Sequence, residues 1–204
     1  MFGIHWQRLG KGKLGIARSP LGHDALECAV PMWGEAGVEQ VVTCLTPEEV
    51  EGVGLQKEPV VCFEYGLTHS RLEFTSQCLP PTEGRQLRLL RTLATAVSGG
   101  RRVLLHSRGG DRAALIATAL LVLAGRTPQA ACADVSATHG RRVPKYLLQL
   151  PWLHRLKLKA AAQAKKPKKG SFAAATAVTQ TVKESSPARH AAAPAKVGFP
   201  APAF

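Results

Sequence analysis

Residues 103–113 read VLLHSRGGDRA, and most of the chain's chemically suggestive groups lie in them. His106 and Ser107 stand side by side, a pairing that can supply a base and a hydroxyl nucleophile. Arg108, Gly109, Gly110, Asp111 and Arg112 follow, and they point to anion holding. A strand that enters a helix through SRGGD leaves backbone N–H groups unpaired at the helix start, where the helix dipole adds positive potential. Gly109 and Gly110 permit unusual dihedrals and let an anion approach the backbone. Arg112, in the first helical turn, can fork onto two oxygens of a phosphate or sulfate, and Arg108 adds charge. The structural alternative is a glycine turn with solvated arginines.

The elements around this loop alternate in type. LGIARSP reads as a short strand and turn, and GHDALECAVPMWGEAG as a helix interrupted by Pro31. VEQVVTCL is a β-branched, buried strand. TPEEVEGVGL opens a helix with Thr46 as N-cap, Pro47 at its first position and acids in its first turn. RLEFTSQCL is a further strand, and TEGRQLRLLRTLATAVSGG an amphipathic helix closed by Gly99 and Gly100. RRVLLH is the strand leading to the loop, and DRAALIATALLVLAG the buried helix leaving it. TPQAACADVSATHG and PKYLLQLPWLHRLKLK are two last helices. Alternation of this kind predicts an α/β fold, a mainly parallel central sheet flanked by helices. Ligands of such sheets bind beyond the carboxyl ends of the strands, where the loop after RRVLLH lies.

Composition narrows the setting. The 204 residues are 45% hydrophobic, enough for one core, and only 5% aromatic, so the core rests on Leu, Val and Ala. Trp33 and Trp152 are read as packing residues. No apolar run is long enough to span a membrane, and MFGIHWQRLGKGK has no secretory pattern. Cys28, Cys44, Cys62, Cys78 and Cys132 form no CxxC pair, which suits reduced thiols in a cytoplasmic protein. His5, His23, His69, His139, His154 and His190 show no ligand spacing, so neither a metal site nor a cofactor is expected. The net charge of +13 is uneven: residues 155–204 hold ten Lys and Arg against the single acid Glu184. Three segments are expected: a flexible leader over 1–13, a domain over 14–159, and a disordered basic Ala/Pro/Lys-rich tail over 160–204. KKPKK in that tail can touch nucleic acid or anionic lipid nonspecifically, or simply solubilise the chain.

Residues of roughly 15 to 158 resemble the cysteine-dependent tyrosine and dual-specificity phosphatase superfamily, especially its compact members related to the cyclin-dependent kinase inhibitor 3 phosphatase. The family's H-C-x5-R loop lies between a valine-rich strand and an apolar helix, as VLLHSRGGDRAALIATALLVLAG does here. GVEQVVTCLTPEEVEGVGL resembles the family's upstream strand-to-helix segment, and TPQAACADVSATHGRRVP its downstream helices. The resemblance implies a phosphate-binding loop over Ser107, Arg108, Gly109, Gly110, Asp111 and Arg112. The signature is altered. With His106 on the family histidine, Ser107 takes the place of the nucleophilic cysteine and the arginine comes one residue early. Ungapped alignment on Gly109 and Arg112 instead puts His106 on the cysteine. Neither register supplies a thiol. SRGGDR also has the C-x4-R loop length of rhodanese-like sulfurtransferases, which need the same thiol. The family's acid loop corresponds to SQCLPPTEG, where Glu83 is the nearest acid; it can protonate a leaving group or cap the following helix.

Three readings follow. The first is a phosphatase-like protein of impaired catalysis that binds a phosphorylated protein or small phosphate-bearing ligand. The second is an active phosphatase with Ser107 or His106 as nucleophile, Arg112 as transition-state clamp and Glu83 as acid. The third is nucleic-acid or membrane-surface binding through the tail.

Overall fold

The computed structural model describes residues 3–22, 24–74, 79 and 84–164. Five strands form one sheet: β1 (His5–Leu9), β2 (Gly12–Arg18), β3 (Gln40–Thr43), β4 (Thr68–Arg71) and β5 (Arg102–Ser107). Their order is β1-β2-β5-β3-β4, with β1 antiparallel to β2 and every other pairing parallel. The helices are α1 (Asp24–Glu35), α2 (Pro47–Gly52), α3 (Glu58–Glu64), α4 (Gly84–Ser98), α5 (Asp111–Leu123), α6 (Pro128–His139) and α7 (Gln149–Ala164). This is the mainly parallel α/β architecture that the alternating pattern predicts.

Side-chain alternation along the strands divides the core in two. Leu14, Ile16, Val42, Val103 and Leu105 face α4, α5, α6 and α7, while Ala17, Val41 and Leu104 face α1 and α3. Helix α5 is buried from Ala113 through Val122, as its lack of a polar face requires. It packs against β5 and against α4, α6 and α7. The strand that delivers the loop and the helix that leaves it are therefore both central elements, and the loop between them is held at both ends.

Several boundaries differ from expectation. Residues 5–9, read above as leader, pair with β2 from His5↔Ile16 to Leu9↔Gly12 around a two-residue turn. Gly10 at φ +60 makes that turn, a conformation that suits glycine. The strand expected from Arg71 onward lies earlier, at Thr68–Arg71, and part of RLEFTSQCL falls outside the described residues. Helix α3 was not foreseen. Helix α7 runs to Ala164, past the expected domain limit at 159. The rest of the tail lies outside the described residues. Among the described cysteines none is paired; Cys44, Cys62 and Cys132 are buried as expected of core thiols, whereas Cys28 is exposed.

Candidate functional site

Strand β5 ends at Ser107, and the chain turns through Arg108–Gly110 into α5. The turn closes with the Gly110 N–H donating to the Ser107 carbonyl at 3.1 Å. Gly110 is the N-cap of α5 at φ +82, in the left-handed region, and a Cβ there would stand 3.0 Å from His139 Cε1. The left-handed φ therefore favours glycine at 110, and a Cβ there would also crowd the His139 ring. Gly109 differs: its φ is not left-handed, and an added Cβ would meet nothing nearer than Asp111 Oδ2 at 3.9 Å. The expectation of unusual dihedrals at both glycines holds at Gly110 alone. The N–H groups of Arg108 and Gly109 have no partner among the described residues.

Alternation along β5 also separates the two chemically suggestive side chains. Ser107 follows Val103 and Leu105 towards α5, where its buried Oγ accepts the Ala113 N–H at 3.3 Å. His106 follows Leu104 to the opposite face of the sheet and is fully buried. Its ring stacks on Trp33 of α1 at 5.7 Å between centroids. Ser107, not His106, thus occupies the start of the helix where a loop nucleophile would sit. His106 does not line the loop cavity and is not placed to attack a ligand there.

That cavity, of about 340 Å³, is lined by Ser107, Arg108, Gly109, Asp111 and Arg112 of the loop, facing Glu49, Lys145, Tyr146 and Gln149. Arg112 reaches across to Glu49 Oε2 in a short hydrogen-bonded ion pair, with its guanidinium 5.3 Å from the Phe74 ring centroid. Glu49 is itself fixed by a capping box at the start of α2: Thr46 Oγ1 accepts the Glu49 N–H, and Glu49 Oε2 accepts the Thr46 N–H at 2.9 Å. The Thr-Pro-Glu-Glu start of α2 therefore does more than begin a helix. It aims a carboxylate at the loop arginine. Asp111, expected among the phosphate-binding residues, directs its carboxylate at cations: Lys145 Nζ donates to Oδ2 at 3.0 Å, and an Arg141 guanidinium nitrogen lies 3.7 Å from Oδ1. Its contribution to an anion would come from its backbone, not its side chain.

A general acid must hold a proton near neutral pH. Glu49 does not. Burial pushes its carboxyl up, but the Arg112 hydrogen bond, the Thr46 N–H and the charges of Arg112 and Arg108 outweigh this and hold it below the usual range. Glu83 lies outside the described residues. Nor is a nearby thiol activated: Cys44 follows β3 and feels the Arg112 charge, but complete burial drives its thiol far above the ordinary value. An inert, protonated thiol is no nucleophile. The described residues hold no group of three or more His, Cys, Asp or Glu suited to a metal ion.

Beneath the loop lies a buried polar network that sequence reasoning missed. Glu58, only 1% exposed, enters from α3 and places Oε1 2.6 Å from His106 Nε2. Thr43 Oγ1, at the end of β3, donates to Glu58 Oε2 at 2.6 Å. Having spent its one proton there, the hydroxyl can only accept from His69 Nε2 (2.9 Å) and His106 Nε2 (3.1 Å), so both imidazoles carry hydrogen on Nε2. His69 Nε2 also lies 3.5 Å from Glu58 Oε2. Burial pushes the Glu58 carboxyl up, yet the charge of His106 and the bonds from His106, His69 and Thr43 outweigh it and hold it well below the carboxylate range. Strands β3, β4 and β5 are thereby tied to α3 just below the residue that begins the loop.

No family model matches the chain, and no curated protein matches it either. Solved structures do. The chain is similar to kinase-associated phosphatase carrying a serine in place of its catalytic cysteine, with a TM-score of 0.69 and 19% identity, covering 79% of this chain and 97% of that one. It is similar to PTPMT1 with a TM-score of 0.61 and 18% identity, covering 79% of this chain and 99% of that one. It is also similar to the active form of Tk-PTP, with a TM-score of 0.59 and 20% identity, covering 76% and 97%. The chain has the fold of the tyrosine and dual-specificity phosphatase superfamily.

Proposed function

We propose that this chain is a phosphatase-fold protein that binds a phosphate-sized oxyanion at the loop Ser107–Arg112 and has little or no phosphomonoesterase activity. The ligand is a phosphorylated protein or a small phosphate-bearing molecule. The observation that carries the reading is the position of Ser107 Oγ, buried against the start of α5 and accepting the Ala113 N–H. Those features would stabilise a thiolate, but a serine hydroxyl is far harder to ionise. His106, the one adjacent base, is turned to the other face of the sheet. Binding asks less of the site than turnover. The N–H groups of Arg108 and Gly109, without a partner among the described residues, the α5 dipole and the Arg108 charge favour an anion in the cavity, where an incoming phosphate would compete with Glu49 for Arg112 and with Asp111 for Lys145.

The unpaired described cysteines suit a reducing, cytoplasmic setting. No described helix is long and apolar enough to cross a membrane. Nonspecific nucleic-acid or lipid contact through KKPKK rests on residues outside the described ones and stands on charge alone.

Inorganic phosphate titrated into the full chain should shift the Arg108 and Gly109 amide resonances saturably. Arg112→Ala should weaken that binding roughly tenfold or more, as loss of a charged hydrogen-bond donor does. Aryl phosphate should not be hydrolysed above background. Turnover that Ser107→Ala abolishes would overturn the reading. Ser107→Cys adds a positive control on the geometry: its alkylation rate should titrate below the ordinary thiol range, because the Ala113 N–H already points at that atom.

A further inference from the structure

Three cations line the loop cavity, yet two of them are already committed to carboxylates. Arg112 is bonded to Glu49 Oε2, and Lys145 to Asp111 Oδ2. Arg108 has no ion pair among the described residues. The two carboxylates are not equally placed to lose their cations. Asp111 also has an Arg141 nitrogen 3.7 Å from Oδ1, so it keeps a cation when Lys145 is drawn away. Glu49 has no second cation within ion-pair distance among the described residues; the other donor to its Oε2 is the Thr46 N–H. The capping box fixes this carboxylate at the start of α2, and its side chain is 23% exposed, so water screens it only in part.

A phosphate that engages Arg112 therefore comes to lie beside Glu49, whichever guanidinium nitrogen it takes. If it replaces Glu49, a partly buried carboxylate loses its cation. If it shares the guanidinium, two anions stand on one cation. Both arrangements carry like-charge repulsion. A cation on the ligand relieves it in either case, pairing with Glu49 as the phosphate pairs with Arg112. A cavity of about 340 Å³ has room for a phosphate group and such a substituent.

We propose that the Ser107–Arg112 site selects a zwitterionic ligand: a phosphate monoester that also carries an ammonium or guanidinium group, which pairs with the Glu49 carboxylate. This rests on the anion site proposed above and names the class of ligand it selects. Glu49 is then a specificity-determining residue, which disfavours plain phosphates relative to cation-bearing ones.

The test titrates two matched pairs of ligands into the full chain and follows the Arg108 and Gly109 amide resonances. One pair is O-phosphoethanolamine against ethyl phosphate. The other is a phosphoserine peptide with a neighbouring lysine against the same peptide with norleucine there. Glu49→Gln removes the charge, while glutamine can still complete a capping box and so retains α2. The cationic member of at least one pair should bind about three- to tenfold more tightly to the native chain. That advantage should vanish in Glu49→Gln, which should itself bind ethyl phosphate more tightly than the native chain does. An advantage for phosphoethanolamine assigns a small amine ester; one confined to the lysine peptide assigns a basic phosphorylated segment. No advantage in either pair overturns the proposal and leaves the anion site standing, as does an advantage that survives Glu49→Gln. Weaker binding of ethyl phosphate to Glu49→Gln also overturns it, because Glu49 would then be positioning Arg112 for the anion. No saturable shift with any of the four ligands in the native chain removes the anion site itself, and this proposal with it.

Discussion

Glu58→Gln isolates the network beneath the loop. The substitution keeps the shape of the side chain but removes its charge and one acceptor oxygen, replacing that oxygen with a donor. In the native chain Glu58 takes the Thr43 hydroxyl at 2.6 Å and faces His106 Nε2 at 2.6 Å and His69 Nε2 at 3.5 Å. A glutamine NH₂ group must then face a donor it cannot satisfy, on either the Thr43 or the imidazole side. Removing one partner of a buried pair typically costs about 3–5 kcal/mol, and retention of one acceptor puts Glu58→Gln near 3 kcal/mol. For a domain of this size that is a fall in Tm of roughly 6–12 °C. The pH dependence gives a sharper readout. The folded carboxyl is depressed, so its stabilisation is present above the unfolded value of about 4.3 and is lost as pH falls through the folded one. The stability gap between wild type and Glu58→Gln is read from urea titrations between pH 5 and 3.5. Below about pH 4.3 it should shrink by up to about 1.4 kcal/mol per unit. A gap under about 0.5 kcal/mol at pH 7 would match an ordinary surface substitution and would refute the reasoning. So would a gap that stays constant down to pH 3.5 while both proteins remain folded.

Two other perturbations separate parts of the loop. Gly110→Ala forces a methyl-bearing residue into φ +82 and puts its Cβ 3.0 Å from His139, so it should cost at least about 1–2 kcal/mol. Gly109→Ala, with nothing nearer than 3.9 Å, should change thermal stability far less; equal losses would contradict the assigned roles. Thr46→Ala removes the N-cap of α2 and should cost about 1 kcal/mol, a fall in Tm of roughly 2–4 °C measurable by calorimetry. Unchanged stability would show that the capping box does not hold Glu49.

The parts of the molecule that were legible in the sequence are those set by local rules. Thr46-Pro47 and Thr127-Pro128 begin helices, and both threonine hydroxyls accept an N–H three residues on. The leading hairpin carried a readable signal that polarity obscured. HWQRL has no apolar alternation, but the Gly10-Lys11 turn pairs it with β2, and pairing rather than pattern makes it a strand. Residues 84–98 and 111–123 announced their helices through a wide apolar face and an all-apolar surface respectively. Glu58 carried no such signal. KEPVVCFE gives no periodicity long enough to mark a helix, and its partners Thr43, His69 and His106 come from three strands brought together only by the order β5-β3-β4.

The two alignments of the loop posed a question that strand geometry answers without any relative. Once RRVLLHS is a strand buried on both faces, successive residues must point opposite ways. Val103, Leu105 and Ser107 share a face with α5; Leu104 and His106 face Trp33. Only one of His106 and Ser107 could therefore reach the loop cavity, and it had to be the one on the side of the helix that follows. The same alternation assigns the histidine its role. On the far face it has no access to the loop cavity, and α3 places the Glu58 carboxylate 2.6 Å from its Nε2. The placement of Ser107 and the buried network are thus consequences of one strand: its last residue faces the loop cavity, and the residue before it ties the strand to α3.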